Sequence, residues 1–89
     1  MQIRFSPESV QDLQRLRDFL AQHDSDAART TVLNLKAAML RLAAMPCIGH
    51  LLEDIKNVRE FVFGRYVVRY LVVGETVTIL RLWHTKELR

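Results

Sequence analysis

Eighty-nine residues, 49% of them apolar, can bury one modest core and cannot divide into two. The composition excludes a disordered chain, no apolar run approaches the roughly 20 residues of a membrane span, and a single cysteine, Cys47, excludes an internal disulfide. The net charge of +3 is unevenly placed: residues 1–55 hold six basic and seven acidic groups, whereas residues 56–89 hold seven basic and three acidic. The positive field therefore belongs to the C-terminal third, which points to an anionic partner or substrate.

In chain order, Gln2 to Phe5 alternates like a short strand, and Ser6-Pro7 then starts a helix. Serine at the N-cap accepts an orphan N–H, and proline at N1 already has helical φ with no N–H to leave unpaired. Val10, Leu13, Leu16 and Leu20 recur at helical spacing, with Phe19 beside them, so this helix is predicted to run to about Gln22. His23-Asp24-Ser25-Asp26 breaks it and supplies a new N-cap. Ala28, Val32, Leu35, Met39 and Leu42 form a second amphipathic stripe, widened by Leu33, Ala37 and Leu40 and stopped by Pro46. Cys47 to Asn57 reads as the longest loop.

From Val58 to His84 the chain is rich in β-branched and aromatic residues, carrying five of the seven aromatics. Gly64 and Gly74-Glu75 cut it into three strands, 58–63, 65–73 and 76–84. Glycine first in a two-residue loop suits a II′ hairpin turn. The order predicts a single α+β domain spanning 1–89: β-α-α-β-β-β, an antiparallel four-stranded sheet with a two-helix hairpin packed on one face. The first strand joins the sheet out of sequence, beside one of the last two strands.

If Val73 faces Thr76, strict alternation puts Tyr66, Val68, Tyr70 and Val72 on one face with Val77, Ile79, Arg81 and Trp83. This face is assigned to the core, with Tyr66 opposite Trp83. Arg65, Val67, Arg69, Leu71 and Val73 share the other face with Thr76, Thr78, Leu80, Leu82 and His84. That surface is both apolar and cationic, as expected of one that a partner covers. Arg81 is the core-side exception, expected to be held by a carboxylate or by carbonyls.

Neither the histidines at 23, 50 and 84 nor Cys47 has the spacing of a metal site, and Cys47 near His50 does not define a nucleophile. No metal or cofactor is expected. Arginine is the stronger signal, because guanidinium forks bind phosphate or carboxylate. Arg65 and Arg69 with His84 as acid or base would suit RNA cleavage by 2′-OH attack; paired with carboxylates, the same arginines are structural.

The opening IRFSPESVQDLQRLRDFL, the link before Ala27-Ala28, and the ending VREFVFGRYVVRYLVVGETVTILRLWHTKE together resemble the ParE/RelE superfamily of bacterial toxins over essentially the whole chain. The resemblance implies a toxin of a type II toxin–antitoxin pair in the bacterial cytoplasm, neutralised by an antitoxin from an adjacent gene, with a role in plasmid maintenance or stress response. RelE-like members cleave ribosome-bound mRNA using an arginine one residue after the tyrosine that opens the third strand; here that position is Val67. They also use groups just past the last strand, where this chain reads Thr85-Lys86-Glu87-Leu88-Arg89. The nuclease set is incomplete, so the sequence looks closer to ParE-like toxins, which inhibit DNA gyrase by binding. The alternatives are a ribosome-dependent mRNA interferase, with His84, Arg65 and Arg69 catalytic, and a toxin fold that only binds its antitoxin. The surface expected to meet target or antitoxin comprises Arg59, Arg65, Val67, Arg69, Leu71, Leu80, Arg81, Leu82 and His84.

Overall fold

The computed structural model describes residues 1–22 and 24–87. His23, in the predicted helix–helix link, and the last two residues of the ending lie outside the described residues. The elements are β1 (Gln2–Phe5), α1 (Pro7–Ala21), α2 (Ser25–Ala44), β2 (His50–Leu51), β3 (Val58–Phe63), β4 (Tyr66–Val73) and β5 (Thr76–His84).

Both helices start where their caps dictate. Ser6 has extended backbone, and its Oγ accepts from the Ser9 N–H at 3.0 Å. Asp24 accepts from the N–H groups of Asp26 and Ala27 at 2.9 and 3.1 Å. The two hairpin turns place Gly64 and Gly74 at φ +58°, while Arg65 and Glu75 keep negative φ, as a II′ turn requires.

The sheet order is β1-β5-β4-β3-β2, with the helices packed on one face. Two features correct the expected four-stranded antiparallel sheet. β1 lies parallel to β5 at one edge, Gln2 beside Thr76 and Phe5 beside Ile79. At the other edge the two-residue β2 is carved out of the predicted loop and pairs with Arg59 and Glu60. The core joins Leu16 of α1 and Leu35, Met39 and Leu42 of α2 to Val68, Tyr70, Val77, Ile79 and Leu82 of the sheet.

A third correction decides the face of every residue near the C-terminal end of β5. The predicted register holds from Val73–Thr76 to Tyr70–Ile79. Leu80 is then an extra residue, and pairing resumes as Arg69–Arg81, Val68–Leu82, Val67–Trp83 and Tyr66–His84. One inserted residue exchanges the two faces of everything beyond it. Leu82 is therefore fully buried in the core, and Trp83 is on the sheet face away from the helices. The expected Tyr66–Trp83 pair is replaced by Tyr66 and His84, edge to face at 5.2 Å between ring centroids.

The cause of the bulge lies in α1. β1 stops at Phe5 because Ser6-Pro7 turns the chain into a helix, and this strips β5 of its edge partner beyond Ile79. Side chains replace the missing strand. The Ser6 hydroxyl donates to the Leu80 carbonyl at 2.8 Å, and Asp12 Oδ2 accepts the Leu82 N–H at 3.0 Å. Arg15 donates to the Leu82 carbonyl at 3.3 Å. Backbone groups that a sheet edge would leave open are thus paired by the side chains of Ser6, at the N-cap, and of Asp12 and Arg15 along α1.

The loop before β2 is held in a comparable way. The fully buried Tyr70 hydroxyl donates to the Pro46 carbonyl at 2.7 Å and accepts the Gly49 N–H at 2.9 Å. A Cβ on Gly49 would sit 2.5 Å from that hydroxyl and 2.8 Å from the Glu60 carbonyl oxygen, so only glycine fits this approach.

Candidate functional site

The predicted site residues do not form one surface. They divide among the outer sheet face, the β5 edge, the core, and a cavity on the helix side.

On the outer face, rows of residues run across the strands. Val62, Val67 and Trp83 make one row, with Val62 62% exposed and Val67 buried between its neighbours. The next row is Glu60, Arg69 and Arg81. Arg69 donates to Glu60 at 2.7 Å through Nε, and its guanidinium carbon lies 5.3 Å from the centre of the Trp83 ring. Its charge is therefore balanced by a carboxylate and laid over an aromatic face. Leu71, half-buried, faces Thr78 in the following row, and Val73 stays exposed beside the Gly74 turn. This face keeps the expected apolar character, but Trp83 rather than Leu82 supplies its β5 member.

Arg81 has the carboxylate partner expected for it, although it is part-exposed at the sheet edge rather than in the core. Its Nε and Nη2 donate to the two Asp12 oxygens at 2.7 and 3.1 Å. Asp12 is 2% exposed and also receives Arg15. Burial alone would push the Asp12 carboxyl up; hydrogen bonds from Arg81, Arg15 and the Leu82 N–H, with the Arg81 charge, outweigh it and hold the pKa at about 2. Arg59 is also structural, donating to the carbonyls of Gly49 at 2.9 Å and Cys47 at 3.4 Å.

His84 and Arg65, expected on the outer face with Arg69, instead line a cavity of about 570 Å³ between α1 and the ends of β4 and β5. Leu16, Phe19 and Leu20 form its helical wall, and the Tyr66 and His84 rings face them from the sheet. The turn after β5 folds back on His84. Its backbone N–H donates to Glu87 at 2.9 Å, and its Nδ1 accepts the Lys86 N–H at 3.1 Å. An accepting Nδ1 carries no proton, so in the neutral ring Nε2 is the donor. Burial, with the nearby Glu87 charge, pushes the Tyr66 hydroxyl up, so it stays a neutral phenol. Glu87 is bound by Arg15 at 3.1 Å. Arg65 and Lys86 also line the cavity, and neither has a carboxylate partner among the described residues.

Sequence reading does not single out Asp12, Arg15, Tyr70 or Glu87 for a role. One signal is available: Ser9, Asp12 and Leu16 share a helical face, so two polar residues stand where α1 meets the sheet. Among the described residues no three His, Cys, Asp or Glu side chains converge as a metal site, and no helix is long and apolar enough to cross a membrane.

The family model described as "ParE toxin of type II toxin-antitoxin system, parDE" matches residues 3–89. Two relatives from Caulobacter vibrioides are similar over nearly their full lengths. Toxin RelE1 is 31% identical, covering 94% of this chain and 92% of the relative; Toxin RelE2 is 34% identical, covering 98% of each. Among solved structures, a chain of the chromosomal ParDE toxin–antitoxin system from P. aeruginosa superposes with a TM-score of 0.82 at 19% identity, covering 94% of this chain and 95% of that one. A chain of the RelBE2 toxin–antitoxin complex from Mycobacterium tuberculosis gives 0.71 at 22% identity, covering 93% and 95%. At such identities the superpositions speak for the fold; the family match carries the assignment. The chain belongs to the ParE toxin family of type II toxin–antitoxin systems, within the ParE/RelE superfamily.

Proposed function

We propose that this toxin acts in the bacterial cytoplasm by binding, as a ParE-like inhibitor of DNA gyrase, and that an antitoxin encoded by an adjacent gene neutralises it in a hetero-oligomer. The observation that carries this reading is the dispersal of its cations and imidazole. Cleaving a phosphodiester by 2′-OH attack needs a base, an acid and cations around one phosphorus. Here His84 and Arg65 line a cavity on the helix side, while Arg69 is on the opposite sheet face, bound to Glu60. Arg81 is committed to Asp12, and Val67 occupies the position where the nuclease members of the superfamily carry arginine. What is exposed on the outer face is apolar surface at Val62 and Val73, which suits protein recognition better than phosphate recognition.

The deciding experiment is a gyrase supercoiling assay with the purified toxin, run beside primer extension on ribosome-bound mRNA. Inhibition of supercoiling without RNA cuts is expected. Ribosome-dependent cuts with intact supercoiling would replace this reading with the mRNA-interferase one, which the RelE names of the two Caulobacter relatives make the natural comparison.

A further inference from the structure

We infer that the chain self-associates through β1: its open edge adds, antiparallel and about a twofold axis at Ile3, to β1 of a second copy, and the two sheets become one. This surface is distinct from both the outer sheet face and the cavity.

β1 is an edge strand and pairs with β5 alone. The Gln2 and Ser6 N–H groups donate to the Glu75 and Ile79 carbonyls, both at 2.9 Å. Backbone groups point to alternate sides along a strand, so those of Ile3 and Phe5 point away from β5. Among the described residues nothing pairs with them. At the opposite edge of the sheet, β2 covers Arg59 and Glu60. An open row of backbone donors and acceptors is a template for a further strand.

This edge is complementary to itself. Few twofold registers bring outward backbone groups together, and only the one centred on Ile3 overlaps all of residues 1–5. Ile3 then exchanges N–H···O bonds with Ile3 of the second copy, and each Phe5 N–H donates to the Met1 carbonyl opposite. Met1 and Phe5 are 49% and 43% exposed, and alternation puts them on the face of Ile3, which packs against the core. Across the axis each covers the other. On the outer face, exposed Arg4 lies opposite neutral Gln2. Moving the axis to Arg4 would oppose two guanidiniums and leave Met1 without a partner. The edge of another protein could use the same backbone groups, but the matched pairs Met1–Phe5 and Gln2–Arg4 are supplied by this chain itself. So short an edge buries less than the roughly 1,200 Å² of a stable interface, so the expected Kd is on the order of 100 µM.

Sedimentation equilibrium of the full chain over a concentration series tests this, with paired substitutions at one exposed edge position. Gln2→Glu sets a carboxylate opposite each Arg4 and should tighten the dimer about fivefold; Gln2→Lys sets a cation there and should weaken it about fivefold, since each pair occurs twice by symmetry. Gln14→Glu and Gln14→Lys make the same charge changes at an exposed position of α1 and should stay within about twofold of wild type. Thermal melts establish that each variant is folded. Should one not fold, the amide spectrum of wild type serves instead: the Ile3 and Phe5 signals should move, and their exchange with solvent slow, as concentration rises. A chain that stays monomeric up to about 1 mM overturns the inference. So does a dimer indifferent to the sign of charge at position 2, or one that responds equally at position 14. A dimer that leaves the Ile3 and Phe5 amides unchanged uses another surface and overturns it as well.

Discussion

Replacing Asp12 by asparagine should remove a pH-dependent part of the stability. The carboxylate is nearly inaccessible, accepts Arg81 at 2.7 and 3.1 Å and the Leu82 N–H at 3.0 Å, and also meets Arg15. Its pKa is lowered from 3.8 to about 2 in the fold. A carboxyl depressed in this way stabilises the folded state fully above its unfolded pKa, and the contribution is lost as pH falls from about 4 to about 2. The displacement corresponds to about 2 kcal/mol at neutral pH, an upper figure because both guanidiniums are part-exposed and screened by solvent. An asparagine side chain there would keep one oxygen for the Leu82 N–H and lose the charge. Asp12→Asn should therefore lower the midpoint of thermal unfolding at pH 7 by about 10 °C, and the gap to wild type should close by about pH 2. Urea denaturation of both proteins, in steps from neutral pH down through the carboxylate range, measures this directly. Parallel stability–pH curves would refute the reasoning, because they would show that the Asp12 cluster contributes no differential protonation.

The bulge at Leu80 predicts an order of costs: Leu82→Ala, in the core, should cost about 2–5 kcal/mol and more than Trp83→Ala, and the reverse order in equilibrium unfolding would place Trp83 inside. Gly49→Ala should destabilise by about 1–3 kcal/mol, because its Cβ meets the Tyr70 hydroxyl and a backbone oxygen; a change below the error of a urea titration would contradict that packing. Tyr70→Phe should cost about 1–3 kcal/mol by leaving the Gly49 N–H and the Pro46 carbonyl without their partner, read from the same titration. Val62→Asp, at an open position of the outer face, should leave the melting temperature within about 2 °C and reduce gyrase inhibition, and unchanged inhibition would remove that row from the target surface.

Local chemistry makes most of the elements legible from the sequence. Ser6-Pro7 and Asp24 start the helices because a side-chain oxygen there satisfies orphan N–H groups whatever the surroundings. Gly64 and Gly74 set the hairpins because positive φ is cheap only for glycine. From those turns alternation assigns Val68, Tyr70, Val77 and Ile79 to the core, as found. Alternation holds only while one residue faces one residue. At Leu80 the count changes, and Leu82, Trp83 and His84 change face with it. The stretch Leu80-Arg81-Leu82-Trp83 offers an apolar residue to either face in both registers, so its pattern cannot choose. Placing Arg81 inward is the one local conflict that argues for a bulge. What settles the register is a partner 70 positions away: once β1 has turned into α1, Asp12 is the acceptor for the Leu82 N–H and Arg81. Separation in sequence likewise hides Tyr70 from Gly49, 21 positions away, and His84 from the α1 wall. Spacing along a chain reports which residues share a face of one element. Which elements meet, and therefore where the outer row and the cavity lie, is decided only when a strand edge, left unpaired by one helix, must find its hydrogen bonds in the packed molecule.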